Sequence, residues 1–178
     1  MLLAQVDTAG VLRFLGLRRE VPSLDFLARV QTAIKTRIPW ESASRIVRAH
    51  RVQVQQERPR RPAEFWQRAI IDRTGGTCFE SDYALWALLR ELGFDAHLHI
   101  NDMPSLSQTR CHAAVTVALE GERYLSDVGT ALRLRQPLRL PPEVGGETRV
   151  IGDSYDQTLR RLSADRLEVM NEGPDRLR

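Results

Sequence analysis

The stretch that most constrains this chain runs from Arg73 to Gly93 and reads RTGGTCFESDYALWALLRELG. Two adjacent glycines, Gly75 and Gly76, let the backbone turn tightly before the helical pattern begins. Thr77 and Glu80 then have the spacing of a capping box, in which each side chain bonds the backbone amide of the other residue. The stretch therefore predicts a helix that begins immediately after Thr77.

This arrangement places Cys78 in the first turn of a helix that we expect to end near Leu92, with Gly93 as its stop. Unpaired amides and the positive end of the helix dipole favour a thiolate there and lower the thiol pKa from about 8.5. Taken alone, however, a cysteine is more often a small buried apolar residue. A catalytic interpretation needs a base and an orienting group. The apolar positions predicted to form the buried helix face are Phe79, Tyr83, Trp86, Leu89 and Leu92.

The spacing of the apolar residues changes at Phe94. Helical spacing gives way there to the strict alternation that is typical of a half-buried strand. Helical patterns fill the first half, apart from an arginine-rich stretch, Gln55 to Pro62, which we expect to be an exposed loop. The sequence predicts an α+β fold. A helical domain over residues 1–93 carries the nucleophile helix, and an antiparallel β domain over residues 94–178 follows.

A hairpin in the second half supplies a candidate base and orienting group. Cys111–Leu119 and Arg123–Val128 are predicted strands joined by a turn at Glu120–Glu122. His112 lies near the start of the first strand and Asp127 near the end of the second. A pairing about this turn puts Asp127 near position 115, offset from His112 by about three residues, or about 10 Å. A bulge or a slightly different turn would close that gap.

Cysteine, histidine and aspartate in this arrangement have the chemistry of a nucleophilic triad. His112 would take the thiol proton, and Asp127 would hold the imidazole tautomer and support its positive form. The nucleophile would be Cys78.

The remaining titratable residues have less specific patterns. His97 and His99 alternate on one strand, but no third ligand accompanies them, so we expect no metal site. Cys111 should point to the other sheet face and belong to the core. The carboxylates Glu80, Asp82 and Asp102 are expected at the surface or in caps.

The composition and charge of the chain limit the kinds of partner that it is expected to bind. The 178 residues carry a net charge of +3, and a single lysine, Lys35, leaves 26 − 1 = 25 arginines. The positive charge is too dispersed for a nucleic-acid footprint and weakly favours an anionic ligand. No apolar run approaches the roughly 20 residues of a membrane span, so we expect a cytoplasmic protein without a membrane partner.

Several segments, in order, resemble the arylamine N-acetyltransferases, cysteine enzymes related in catalytic core to transglutaminases. The IPWES motif is similar to that family's Ile-Pro-Phe-Glu-Asn, and RTGGTCFE is similar to its Arg-Arg-Gly-Gly-x-Cys-Phe-Glu. VLRFLGL, ALLRELGF and GERYLSDVG resemble its N-terminal helix, its helix exit and its aspartate segment. The resemblance covers about residues 11 to 130, and the combination is more specific than any single piece.

The resemblance implies Cys78, His112 and Asp127 as the triad of a ping-pong acyltransferase. Acetyl-CoA would acylate the thiolate, and an arylamine, hydrazine or arylhydroxylamine would take the acetyl group. The substrate-binding residues would be Gly75 and Gly76, which would give the substrate access to the backbone, and Phe79, which would wall the pocket. The implied architecture is a helical domain and a β-barrel-like domain around a transglutaminase- or papain-like core.

The sequence departs from that pattern in ways that keep alternatives open. Thr74 replaces the arginine expected before the glycines, and no Phe-Gly follows the aspartate segment. The chain after Gly129 is also short for the family's third domain, which acts as lid and cofactor platform. A related amide synthase or thiol hydrolase with another acyl donor remains an alternative. So does a non-catalytic descendant that binds a ligand. The acceptor amine and the oligomeric state stay open.

Overall fold

The computed structural model describes residues 7–103, 108–130, 136–151 and 156–172. Within these ranges the helices come first and the strands second, as the sequence predicts. The chain is therefore an α+β fold. The helices are α1 (Thr8–Leu15), α2 (Leu24–Arg37), α3 (Ala43–Arg51), α4 (Pro62–Ile71) and α5 (Cys78–Glu91), with a 3₁₀ turn at Gln55–Glu57.

The strands of the described ranges form two antiparallel sheets. One has the order β1-β2-β3-β4 and the other the order β5-β6-β7. The predicted hairpin is confirmed, because β2 pairs with β3 from Leu119 opposite Glu122 to Val115 opposite Ser126. The strands are β1 (Asp95–Met103), β2 (Gln108–Leu119), β3 (Glu122–Ser126), β4 (Leu138–Arg139), β5 (Glu147–Val150), β6 (Asp156–Arg161) and β7 (Leu167–Glu172).

The barrel-like arrangement expected from the resemblance is wrong in one respect: the sheets formed by the described residues do not close. Closure would require the last strand of a sheet to pair with the first. Among the described residues β1 pairs only with β2, and the short β4 ends the first sheet after two residues. In the same described ranges, the strands of the second sheet pair only with one another.

Helix α5 is the centre of the molecule, because α4 packs on one side of it and strands β1 and β2 on another. Leu85 and Leu88 are fully buried, and each such leucine contributes about 1.5–3 kcal/mol by leaving water. The same core cluster joins side chains of α1, α2, α4 and α5 to those of β1 and β2.

The buried face predicted for this helix is only partly right. Leu89 and Leu92 are buried, whereas Phe79, Tyr83 and Trp86 are half-buried. The helix is enclosed on more than one side, so small and polar residues of its other faces are buried as well. These include Glu80, Ser81, Asp82 and Ala84.

The helix ends where the sequence predicts, since Gly93 adopts a left-handed φ of 93° and β1 begins two residues later. The division into domains over residues 1–93 and 94–178 stays a prediction. No helix in the described part of the chain is both long and apolar enough to cross a bilayer.

Candidate active site

Cys78 is the first residue of α5, and the capping box predicted around it is wrong. Thr77 is the capping residue, but its side chain bonds no helix amide. Its hydroxyl instead accepts a hydrogen bond of 2.9 Å from Arg45 Nη1. Glu80 cannot reach back to the cap because it is paired with Arg60. Local spacing therefore predicts the start of the helix correctly and the partners of its first turn wrongly.

The Arg60–Glu80 ion pair is buried beside the start of α5. Arg60 Nε and Nη2 lie 2.7 and 2.8 Å from the two carboxylate oxygens of Glu80, and the side chains are 5% and 2% exposed. Arg60 Nη2 also donates to the carbonyl of Gly75 across 2.6 Å. The predictions of an exposed loop at Arg60 and a surface carboxylate at Glu80 are both wrong. The pair ties the glycine segment to the helix that carries Cys78.

The two glycines serve close packing rather than a left-handed turn. A Cβ on Gly75 would lie 1.6 Å from the carbonyl oxygen of Pro39, so only glycine fits there. Gly76 N donates to the same carbonyl across 3.3 Å, and Trp40 pairs with Gly76 in an isolated parallel bridge. The left-handed residue of the turn is Arg73, with φ of 56°. The IPWES and glycine segments therefore touch directly.

His112 and Asp127 form a hydrogen-bonded pair next to the start of α5. His112 Nε2 lies 2.7 Å from Asp127 Oδ2, and the side chains are 15% and 19% exposed. The second carboxylate oxygen, Oδ1, accepts from Gly129 N across 2.9 Å. Both oxygens of Asp127 are thus occupied, which fixes the carboxylate against the imidazole.

The thiol of Cys78 interacts electrostatically with this pair. Burial of the thiol opposes its ionisation, but hydrogen bonds from His112 and the Ala113 amide outweigh burial and lower the pKa of Cys78. Burial also opposes the charge on His112. The hydrogen bonds to Asp127 and Cys78 nevertheless raise the pKa of His112 to about 10. These directions favour a thiolate–imidazolium pair at neutral pH.

A third carboxyl group, Asp82, lies one helical turn beyond Cys78 on α5. It is fully buried, and its Oδ1 accepts from the amide of Val128 across 3.0 Å. Burial, followed by the nearby charge of Asp127, raises the pKa of Asp82 well above the ordinary range. The prediction of a surface or capping carboxylate is wrong for Asp82. The sequence does hint at this position, because the i, i+4 spacing puts Asp82 on the same helix face as Cys78.

Two long side chains hold the segment from Asp127 to Thr130. Lys35 Nζ donates to the carbonyls of Asp127 and Thr130, each across 3.3 Å. Trp40 Nε1 donates to the carbonyl of Gly129 across 2.8 Å. Burial lowers the pKa of Lys35. Both residues come from the helical half of the chain, so no pattern within the hairpin pointed to them.

The other predicted residues lie in less specific surroundings. Phe79 is half-buried next to Cys78, and its role as a pocket wall stays a prediction. Cys111 is half-buried, and its carbonyl lies 3.8 Å from Cys78 Sγ. His97 pairs with Asp95 and His99 bonds Thr116. Among the described residues no group of three or more His, Cys, Asp or Glu is arranged to hold a metal ion.

Comparison with known proteins shows which family this chain resembles. A family model described as N-acetyltransferase matches residues 23–155. The arylamine N-acetyltransferase of Escherichia coli is 27% identical over 149 residues, which are 78% of this chain and 50% of that protein. An uncharacterized acetyltransferase of Bacillus subtilis, YvcN, is 34% identical over 86 residues, which are 45% of this chain and 34% of that protein.

Solved structures give the same fold. The arylamine N-acetyltransferase of Mycobacterium abscessus matches with a TM-score of 0.71 and 25% identity, over 93% of this chain and 57% of that one. A Bacillus cereus arylamine N-acetyltransferase with a Cys-His-Glu catalytic triad matches with a TM-score of 0.72 and 16% identity, over 96% and 67% of the two chains. The chain spans about a third to a half of the length of the curated relatives it matches.

Proposed function

Because the chain belongs to the arylamine N-acetyltransferase family, we propose that it moves an acetyl group from acetyl-CoA to an arylamine, a hydrazine or an arylhydroxylamine. The acetyl group would travel as a thioester on Cys78. The relatives are named for arylamine acetylation and are longer than this chain, so donor and acceptor are both part of the proposal.

The observation that carries the proposal is the grouping of Cys78, His112 and Asp127, in which the imidazole bonds Asp127 and lowers the pKa of the Cys78 thiol. It supplies an ionised nucleophile, an imidazolium that can return a proton, and a carboxylate that fixes the imidazole. A hydrogen-bonded cysteine that served only as a core residue would not need the other two groups.

The reaction follows from these groups in two halves. In the first, the Cys78 thiolate attacks the acetyl carbonyl, and the carbon–sulfur bond to coenzyme A breaks. His112 gives its proton to the departing thiolate. In the second, the acceptor nitrogen attacks the Cys78 thioester and His112 takes the nitrogen's proton. The amide leaves, and thiolate and imidazolium are restored.

We assign substrate contact to Gly75, Gly76 and Phe79. The glycine segment leads directly into Thr77 and the first turn of α5, which carries the Cys78 thiol. Phe79 follows Cys78 directly and is half-buried, so part of its ring is available to an apolar acceptor. We also propose that α5 and the β1–β2–β3 sheet form the transglutaminase- or papain-like core. The helix-borne thiol and the sheet-borne histidine support that proposal.

Intact-protein mass spectrometry after incubation with acetyl-CoA tests the proposal. We expect one acetyl group on the wild type, none on Cys78→Ser, and discharge of the adduct by an arylamine. Cys111→Ser is the matched control and should be acetylated like the wild type. Background acetylation of amines should be low because Lys35 is the single lysine.

The other outcomes separate the alternatives. A thioester that disappears in buffer without amine would indicate a thiol hydrolase. No adduct, with Cys78 still alkylating quickly, would mean that the acyl donor is wrong. A Cys78 that is inert to both reagents would overturn the enzymatic proposal in favour of a ligand-binding descendant.

A further inference from the structure

Asp82 is a buried carboxyl group that the proposed reaction does not use. It follows Cys78 by four residues on α5, so the two side chains lie on one face, one turn apart. Its exposed fraction is 0%. A Cβ built on Gly129 would lie 2.1 Å from Asp82 Oδ2 and 2.5 Å from Cys78 Cβ, so the backbone of Gly129 covers both side chains.

Within the described ranges, Asp82 has a hydrogen-bond donor at only one of its two carboxyl oxygens. Oδ1 accepts from the Val128 amide across 3.0 Å. Oδ2 is buried and has no hydrogen-bond partner among the described residues. An ionised carboxylate needs donors at both oxygens when it is removed from water, because an unpaired buried charge is costly.

Asp127, the residue before Val128, has a hydrogen-bond partner at both of its carboxyl oxygens. Its Oδ2 bonds His112 and its Oδ1 bonds the amide of Gly129. It also keeps 19% exposure. Where two carboxyl groups lie this close, the one with donors at both oxygens retains the charge and the other takes the proton.

The charged groups around Asp82 would not neutralise a negative charge on Asp82 in addition to that of Asp127. Cys78 on α5 and Asp127 after β3 both oppose ionisation of Asp82. His112 on β2 favours it, but bonds Asp127 instead. Lys35 on α2 interacts electrostatically with Asp82, but it donates its hydrogen bonds to the backbone carbonyls of Asp127 and Thr130. Within the described part of the chain, neither cation donates a hydrogen bond to Asp82.

We propose that Asp82 is a neutral carboxylic acid in the folded protein, and that it is a positioning residue for the triad. Through Val128 it holds the segment that carries Asp127 and Gly129 against the first turn of α5. Because it is neutral, it does so without placing a second negative charge beside the thiolate. The positioning role rests on the proposed function, whereas the charge state does not.

The charge state is tested by capillary electrophoresis of the native protein at pH 7. The variants are Asp82→Asn and the control Asp25→Asn, which removes an aspartate whose side chain is 80% exposed. We expect Asp82→Asn to migrate with the wild type and Asp25→Asn to shift by one charge. In urea both variants should shift equally, since unfolding returns Asp82 to its ordinary ionisation. An equal shift of both native variants would overturn the proposal.

The pH dependence of the unfolding equilibrium tests the charge of Asp82 a second time. It does not depend on comparing the electrophoretic mobilities of native variants. The wild type must take up a proton at Asp82 when it folds above the ordinary aspartate pKa, and Asp82→Asn need not. The folding constant of the wild type should therefore fall relative to that of Asp82→Asn by about tenfold per pH unit from pH 5 upward. A ratio independent of pH would contradict a neutral Asp82.

The positioning role is tested by the alkylation rate of Cys78 with iodoacetamide. Asp82→Ala removes the acceptor of the Val128 amide and should slow alkylation at least tenfold. Asp82→Asn keeps a neutral acceptor of the same shape and should restore most of that loss. Equal rates for both variants would remove the positioning role. If the electrophoretic result holds while acetyl-CoA gives no thioester, the charge assignment stands and the proposed acetyl transfer fails.

Discussion

His112 Nε2 lies 2.7 Å from Asp127 Oδ2, although the two residues are not opposite one another in their hairpin. The pairing of Leu119 with Glu122 puts position 114, not 112, across from Asp127. The offset is two residues, so both side chains leave the same face of the sheet. Asp127 also lies beyond the last paired residue, Ser126, where the chain is free to bend toward His112.

The register explains why the spacing calculated from the sequence was too long. A pairing of Asp127 with position 115 would have left His112 three residues away and on the opposite face. The turn consists of Glu120 and Gly121, both with positive φ, and Glu122 is already in the strand. One residue of register therefore decides whether the imidazole and the carboxylate can meet.

The lowered pKa of Cys78 and the raised pKa of His112 predict an unusual pH profile for alkylation. The rate of Cys78 should level off at a lower pH than that of an ordinary thiol and then stay level up to about pH 10, where His112 loses its proton. A cysteine with an ordinary pKa of about 8.5 gains about tenfold per pH unit below that value. Peptide mapping after timed iodoacetamide treatment at pH 6 to 10 measures both cysteines in one sample.

Cys111 is the internal reference for that experiment. At pH 7 we expect Cys78 to react about tenfold or more faster than Cys111, and the difference should vanish in concentrated urea. A Cys78 rate that rises with pH as steeply as that of an ordinary thiol would contradict the thiolate–imidazolium pair.

Replacing Asp127 with asparagine should leave the fold intact and lower the rate of acyl transfer roughly 10²–10⁴-fold, because the imidazole loses its orienting charge. Asp95→Asn is the matched control. Asp95 also bonds a histidine, His97, at 3.1 Å, but those side chains are 61% and 60% exposed. Single-turnover acetylation of Cys78 in the two variants measures the difference. Similar turnover in both would mean that Asp127 is misassigned.

The parts of the site that could be predicted from the sequence are those set by local chemistry. The start of α5 and its stop at Gly93 follow from spacing within one segment. The hairpin likewise follows from two alternating runs around one turn. Each of these needs only interactions between residues near in sequence.

The parts that could not be predicted depend on distant partners. Arg60 is one of 25 arginines and lies in a polar, proline-containing run, so nothing nearby indicates burial. From the sequence alone, Glu80 has the spacing of a capping-box residue, and nothing nearby indicates that it pairs with Arg60. Asp82 is buried because the segment after β3 folds over α5, a contact between residues 46 positions apart. Polarity alone therefore assigned both carboxylates to the surface.

The buried ion pair predicts a large loss of stability for Arg60→Met. Removal of the guanidinium leaves Glu80 charged and 2% exposed, which should cost about 3–5 kcal/mol. Arg68→Met breaks an i, i+4 pair with Asp72 whose side chains are 56% and 38% exposed, and should cost less than about 1 kcal/mol. Urea unfolding followed by circular dichroism compares the two. A loss below about 1 kcal/mol for Arg60→Met would argue against a structural pair.

Gly129→Ala should damage the site more than it damages the fold. Its Cβ would lie 2.4 Å from Cys78 Cα and 2.1 Å from Asp82 Oδ2, so the segment with Asp127 must move away from α5. Gly121→Ala is the control: its Cβ meets nothing within 4 Å, but its φ of 81° costs about 1–2 kcal/mol. We expect comparable losses of stability, about 1–3 kcal/mol for Gly129→Ala. Cys78 alkylation should slow at least tenfold only in Gly129→Ala, and equal alkylation rates would show that the close approach does not position the thiol.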